Sequence, residues 1–134
     1  MRSDYLLLDT NIVSYIMKGA STAELYKEHL SGKRLAISFI TVGELWAGAE
    51  FARWSEKRRY QLRINIRQYV VIPYDYTIAQ YYGKIIAHGK RIGRPISCAD
   101  AWIAACALRH DIPPVTHNTK DFVNIPGLHI ISKP

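Results

Sequence analysis

The stretch YLLLDTN (residues 5–11) decides the fold. Residues 5–8 form an uninterrupted apolar run that ends at the carboxylate of Asp9. A short apolar run without alternation is typical of a strand buried on both faces of a parallel sheet. Helical spacing follows directly through Ile12, Tyr15 and Ile16, and Gly19 is expected to end that helix. The stretch therefore predicts a buried strand that leads straight into a helix.

The same alternation of strand and helix continues along the chain. Further strands are predicted at 35–40, 69–73 and 114–116, with a candidate fifth strand at 128–131. Helices are predicted at 11–17, 21–30, 41–54, 55–68, 75–88 and 97–110, and a loop at 89–95. Strands joined by helices of this length form right-handed βαβ units. We therefore predict a three-layer α/β/α fold with a mostly parallel sheet of four to five strands.

The composition is that of a globular protein. The chain has 134 residues, of which 49% are hydrophobic and 22% charged, so residues 1–134 are expected to form a single domain. No apolar run reaches the 18 or so residues of a membrane span, and the N-terminal apolar stretch is too short for a signal peptide. Cys98 and Cys106 share a predicted helix about 12 Å apart, too far for a disulfide, and are expected to be buried thiols. We expect a cytoplasmic protein with no membrane partner.

The charge balance favours polyanionic partners. Lys and Arg number 18 against 11 Asp and Glu, which gives a formal net charge of +7. A basic protein of this size attracts nucleic acid electrostatically, although many small basic proteins never bind it. The charge alone therefore does not decide between a protein that binds nucleic acid and one that does not.

Four acidic residues follow the predicted strands or open the helices after them: Asp9, Glu44, Asp100 and Asp121. The carboxyl ends of parallel strands meet at one edge of a sheet, so these side chains are expected to lie together. Crowded carboxylates repel one another and raise one another's pKa values. A hard divalent cation with oxygen ligands relieves that repulsion, and Mg²⁺ or Mn²⁺ fits best.

Two of these residues also fit an ordinary capping role. Thr41-x-x-Glu44 has the spacing of a capping box, and Ser97-x-x-Asp100 is a shorter version of it. Capping does not explain why four carboxylates occur at equivalent places, nor why Asp100 stands within an almost wholly apolar helix. Asp75, by contrast, is interpreted as a plain helix cap.

The motifs around these carboxylates carry a family resemblance: LDTN (8–11), GEL (43–45), SCADAWIAA (97–105) and THNTKDF (116–122). In this order and spacing they resemble PIN-domain ribonucleases, and more narrowly the VapC-type toxins of type II toxin-antitoxin pairs. The resemblance covers the whole chain. It implies a PIN-like form of the three-layer fold, an endoribonuclease dependent on Mg²⁺ or Mn²⁺, a homodimer, and inhibition by a small antitoxin. Proline at 113–114 and cysteine at 98 depart from the usual pattern.

The resemblance also assigns roles to residues. Asp9, Glu44, Asp100 and Asp121 match the acidic quartet of the family, and Asn11 and Asn118 match polar positions beside it. We interpret Asp9, Glu44 and Asp100 as metal ligands, direct or through water. Asp121 would bind a second, weaker metal or orient the attacking water. Asn11 and Asn118 would hydrogen-bond to the ligands.

Two basic groups are candidates for contact with RNA. Arg59, Arg63 and Arg67 recur every four residues and share one helix face, which is either a solvated face or an RNA or antitoxin contact. Lys90, Arg91 and Arg94 lie in the predicted loop before Asp100. Trp46 and Trp54 are candidates for a groove that takes an antitoxin helix.

Two other functional classes remain as alternatives. A receiver-like module also gathers acids around Mg²⁺, but it requires paired acids after its first strand, where this chain has Asp9 followed by Thr10 and Asn11. A basic RNA-binding module without catalysis would share the charge and would not need the carboxylates.

Overall fold

Four strands form the central sheet of the molecule, which this computed structural model describes over residues 4–132. They are β1 (Tyr5–Leu8), β2 (Arg34–Ser38), β3 (Val70–Ile72) and β4 (Pro114–Val115). All pairings are parallel, in the order β3-β2-β1-β4. The first strand lies inside the sheet, which explains its uninterrupted apolar sequence.

Seven α-helices flank the sheet within the described residues: α1 (Thr10–Lys18), α2 (Ser21–Glu24), α3 (Lys27–Leu30), α4 (Phe39–Phe51), α5 (Glu56–Ile66), α6 (Tyr76–Arg91) and α7 (Cys98–His110). Side chains of β1 alternate between two cores. Leu7 packs in one core with α6 and α7, while Leu6 and Leu8 pack in the other with α1 and Tyr26. Helices on both faces confirm the predicted three-layer architecture.

The helix α4 begins earlier in the chain than predicted. The strand expected to reach residue 40 ends at Ser38, and the helix begins at Phe39 rather than at Thr41. The Ser38 hydroxyl accepts a hydrogen bond from the Thr41 N–H at 3.3 Å and so caps the helix. Thr41 is therefore not the cap, and Glu44 lies in the second turn, so the capping-box interpretation of this pair is wrong.

Other boundaries also differ from the prediction. The helix expected at 21–30 is two short helices, α2 and α3, and α6 extends through Arg91. Segment 128–131 contributes one bridge, between Ile131 and Val115, so the sheet has four strands. The strand predicted at 114–116 is β4, which ends at Val115, and the Thr116 N–H donates to the Ile131 carbonyl at 3.0 Å.

The predicted cap at Asp75 is confirmed, whereas the predicted burial of the two cysteines is confirmed for only one of them. Asp75 caps α6 by accepting a hydrogen bond from the Ile78 N–H at 2.7 Å, as predicted. Cys98 and Cys106 are both free, and Cys106 is buried. Cys98 is exposed, because it is the first residue of α7 and lies at the surface, so its predicted burial is wrong. No helix between residues 4 and 132 is long and apolar enough to span a bilayer.

Candidate active site

The four candidate carboxylates come from four different elements. Asp9 follows β1 and caps α1, Glu44 lies in the second turn of α4, and Asp100 is in the first turn of α7. Asp121 ends a short 3₁₀ helix, Thr119–Asp121, beyond β4. Asp9 experiences the negative charge of Glu44 and Asp121, and Asp100 experiences that of Asp9, Asp121 and Glu44. The structure thus brings all four within electrostatic reach at the carboxyl edge of the sheet.

Asp9 is the most firmly held of the four. It is 6% exposed, and its Oδ1 accepts a hydrogen bond from the Thr10 N–H at 2.8 Å. Its Oδ2 accepts a second from the Thr116 hydroxyl at 2.7 Å, and that hydroxyl in turn accepts the Asn118 N–H at 3.0 Å. These bonds join the ends of β1 and β4 and fix the orientation of the carboxylate.

A buried tyrosine supports the Thr116 segment from the opposite side. The Tyr26 hydroxyl donates to the Thr116 carbonyl at 3.3 Å and lies 2.6 Å from Nδ1 of His117. The His117 ring also makes edge contacts with Tyr15 and Tyr26. Sequence reasoning missed Tyr26, because it lies 90 residues before Thr116 and no local pattern connects them. It fixes the backbone from which Thr116 reaches Asp9.

Glu44 is exposed and is linked to α1. Its Oε1 accepts a hydrogen bond from the Thr10 hydroxyl at 2.5 Å, and that hydroxyl lies 2.9 Å from the Thr41 hydroxyl. Thr10 therefore touches both Asp9 through its backbone and Glu44 through its side chain. One residue sets the spacing between two of the carboxylates.

Asp100 is half-buried and electrostatically unfavourable in its ionised form. Burial, with a further contribution from the charges of Asp9, Asp121 and Glu44, raises its pKa to about 6 against a hydrogen bond from Ser97. Burial also raises the pKa of Asp9 despite its bonds from Thr116 and Thr10. Both shifts have the causes expected of carboxylates crowded without a compensating cation.

The donor set fits a hard cation that keeps part of its hydration shell. Within residues 4–132, no three His, Cys, Asp or Glu side chains converge closely enough to form a closed metal site. Mg²⁺ is usually held by one or two carboxylates together with water and substrate phosphate, so it needs no closed cage. The Asn11 amide oxygen is buried and accepts no hydrogen bond in the described part of the chain. Asn118 is exposed beside the same edge.

A cavity of about 350 Å³ opens beside two of the carboxylates. Asp100 and Asp121 line it together with two cations, Arg94 and Lys120. Arg94 was predicted from the sequence, and Lys120 was missed although it directly precedes Asp121. Lys90 and Arg91 lie on the last turn of α6, not in a loop, because the helix continues past residue 89.

The arginine stripe on α5 is partly engaged in contacts within the protein. Arg59 forms an ion pair with Glu50, and its Nε donates to the Trp54 carbonyl at 2.9 Å. The Arg63 guanidinium lies 5.8 Å from the ring centroid of Trp46. Arg67 is exposed at the end of the helix. The three residues therefore differ in their freedom to contact a partner.

Comparison with known proteins decides the family. The family model described as the PIN domain matches residues 6–128. The chain belongs to the PIN-domain family. This PIN domain is 36% identical to Ribonuclease VapC1 of Haemophilus influenzae (strain R2866) over 124 residues, which cover 91% of this chain and 92% of the relative. It is 31% identical to the tRNA(fMet)-specific endonuclease VapC of Shigella flexneri over 122 residues, with 91% and 92% covered.

A solved structure gives the same result for the fold. The PIN domain superposes with a TM-score of 0.85 and 28% identity on a chain of VapBC2 from Rickettsia felis, solved bound to a DNA fragment from their promoter. The match covers 97% of this chain and 99% of that chain. The predicted family is confirmed, and a receiver-like module is no longer an alternative.

Replacing Thr116 with valine tests how Asp9 is held. The change keeps the side-chain shape and removes the hydroxyl that donates to Oδ2 of Asp9. A hydrogen bond to the charged form lowers a carboxyl pKa, so we expect the pKa of Asp9 to rise further in Thr116→Val. The carboxyl ¹³C shift of Asp9, titrated in metal-free buffer, measures it. Thr22→Val on α2 is the control, and an equal shift there would contradict the assignment.

Replacing Asp100 with asparagine tests the cost of its half-buried charge beside the other carboxylates. The folded-state pKa of about 6 exceeds the unfolded value of about 3.9, so ionisation costs stability as the pH rises between these values. Asp100→Asn should therefore raise the unfolding free energy at pH 7 by about 1–2 kcal/mol, less than the full shift because the side chain is half-exposed. This gain in unfolding free energy should vanish near pH 4. Urea denaturation at both pH values measures it, with Glu28→Gln on the exposed surface of α3 as control.

Proposed function

We propose that this PIN domain is a metal-dependent endoribonuclease that acts as the toxin of a toxin-antitoxin pair. The observation that carries the proposal is the meeting of Asp9, Glu44, Asp100 and Asp121 at one edge of a PIN fold. Relatives at 36% and 31% identity are named as a ribonuclease and an endonuclease, which supports RNA as the substrate. The reaction is hydrolysis of a phosphodiester bond, and an RNA substrate is consistent with a cytoplasmic site of action.

The carboxylates would hold Mg²⁺ or Mn²⁺. Such a cation neutralises the phosphate charge and lowers the pKa of a bound water. Asp9, Glu44 and Asp100 are the proposed ligands, direct or through water. The raised pKa values of Asp9 and Asp100 support this role, since a cation would replace the missing positive charge.

The remaining polar residues of the edge would orient the reacting groups. Asp121 would bind a second, weaker ion or accept a hydrogen bond from the attacking water. Asn11 offers a buried acceptor without a partner in the described chain, and Asn118 offers an exposed amide. With water as the attacking group, the ribose 2′-hydroxyl is not consumed, and the products would carry a 5′-phosphate and a 3′-hydroxyl.

Positive side chains would bring the RNA backbone to an acidic site. Arg94 and Lys120 share the cavity with Asp100 and Asp121, so they are the best placed to contact phosphates. The positive charge would continue along the surface through Lys90, Arg91, Arg63 and Arg67. Arg59 contributes less, because Glu50 already neutralises its charge.

The partner protein would be a cognate antitoxin. The structural relative from Rickettsia felis is a VapBC complex, which supports association with a small protein encoded beside this chain. Trp46 lies on α4, and Trp54 follows the end of that helix. Each ring is covered by an arginine guanidinium, and the two tryptophans remain the proposed edge of the antitoxin groove. A homodimer of the PIN domain is proposed on the basis of the family.

Purified protein, freed of its partner, should cleave single-stranded RNA in Mg²⁺ or Mn²⁺ and stop on addition of EDTA. Asp100→Asn should lower the rate by at least about 100-fold, because an amide cannot replace a charged ligand. Asp111→Asn makes the same chemical change at the exposed far end of α7 and should keep full activity. Gel assays of labelled RNA measure both. Binding of RNA without cleavage would instead favour the non-catalytic module.

Expression in the absence of the neighbouring reading frame should arrest growth, and co-expression of that frame should restore it. Asp100→Asn should be harmless because the arrest depends on cleavage, and it should still bind the partner in a pull-down. Growth curves with each variant measure this. Arrest by Asp100→Asn at the wild-type level would contradict toxicity through cleavage.

A further inference from the structure

The cavity beside Asp100 and Asp121 extends beyond the carboxylates. It lies between the end of α6, the loop at 92–97, the start of α7 and the segment at 120–126. We propose that this cavity binds one unpaired nucleobase of the RNA, next to the bond that is cleaved. The inference rests on the proposed ribonuclease function and assigns the base-recognition part of that site.

The cavity lining combines two kinds of chemistry. Asp100 and Asp121 contribute carboxylates, and Ile85, Ile96 and Ile125 contribute apolar surface. Its volume of about 350 Å³ is at the lower end of small-molecule sites, which suits a group the size of one nucleotide. A flat, neutral ring packed against the isoleucines would leave its attached phosphates to the polar and charged side chains of the lining.

Two lining side chains can distinguish one base from another. Asn124 carries both a hydrogen-bond donor pair and an acceptor, and neutral His88 carries one donor and one acceptor. An asparagine amide can bond to two adjacent polar atoms on the edge of a base, as in bidentate contacts to adenine. Asn124 is exposed at the cavity, so it is not part of the hydrophobic core.

The wall formed by the loop is fixed before any ligand arrives. The Arg94 N–H donates to the Gly89 carbonyl at 2.9 Å, which closes the loop onto the end of α6. A Cβ at position 89 would lie 2.8 Å from the Arg94 carbonyl oxygen, so this approach requires glycine. Gly93 has φ +70°, in the left-handed region that favours glycine. A preformed wall loses little entropy on binding and can select by shape.

The formal charges of the cavity lining balance, because Asp100 and Asp121 lie beside Arg94 and Lys120. A nucleobase, which carries no charge at neutral pH, therefore meets no net repulsion there. Arg94 and Lys120 can meet the phosphates on either side of that base. A base inside a duplex cannot enter a recess of this kind without leaving its stack, which predicts unpaired RNA as the substrate class.

The test is the base composition at the cut. Wild-type protein is incubated with a pool of single-stranded RNA of random sequence, and the new ends are sequenced. We expect strong enrichment of one or two bases at one position adjacent to the cleaved bond. Asn124→Ala should reduce that enrichment about tenfold, through loss of a contact to the base edge. Val123→Ala shortens the exposed neighbour, which is not a lining residue, and should leave the enrichment unchanged.

The outcomes separate this inference from the proposed function. An unchanged enrichment in Asn124→Ala, or no enrichment in the wild type, would overturn base recognition while cleavage itself stands. A loss of antitoxin affinity without a change in base preference would also overturn it and assign the cavity to the protein partner.

Absence of any cleavage would contradict the proposed ribonuclease function. The cavity can then still be tested directly by the binding of nucleosides. The four ribonucleosides are then titrated at millimolar concentration, with the isoleucine methyl signals followed by NMR. Preferential binding of one nucleoside that shifts Ile96 and Ile125 and is lost in Asn124→Ala would support the inference. Failure of all four to shift these signals would overturn it.

Discussion

The central constraint on this molecule is the concentration of negative charge where a parallel sheet ends. The N-termini of α1, α4 and α7 meet at this edge, and their dipoles favour nearby carboxylates by about 0.3–1 kcal/mol each. That contribution is small beside the cost of burial and mutual repulsion, since the pKa of Asp100 is still raised to about 6. The fold therefore holds the carboxylates in a state that a bound cation would relieve.

The hydrogen bonds at the edge orient the carboxylates without neutralising them. Thr10, Thr116 and Ser97 donate hydroxyl or backbone hydrogen bonds, which fix position and add no charge. Asp75 shows the opposite arrangement, because Arg109 pairs with it at 3.1 Å and its pKa is lowered by its helix cap and by this charge. Asp75, which caps a helix, is thus paired with a cation of the chain, whereas Asp9 and Asp100 have no ion pair with a Lys or Arg among residues 4–132.

Local sequence patterns predicted what depends on neighbours in the chain. The apolar run of β1, the glycine that ends α1 and the caps at Asp75 and Ser97 follow from residues within a few positions of each other. The start of α4 was misplaced because Phe39 and Ile40 have strand propensity, while a buried serine cap and packing on the sheet favour the helix. Tyr26 escaped prediction entirely, since its role exists only once Thr116 is folded beside it.

A polyanion approaching this site meets two fields of different range. The net charge of +7 attracts RNA over a distance of about one Debye length, roughly 8–10 Å in physiological salt. Within contact distance, the carboxylates repel phosphate, and a bound cation would reverse that sign. Arg94 and Lys120 lie beside Asp100 and Asp121, at the boundary between the two fields. Attraction by the surface and rejection by the metal-free site together would make productive binding of RNA depend on the cation, because the same carboxylates that bind one would exclude the other when it is absent.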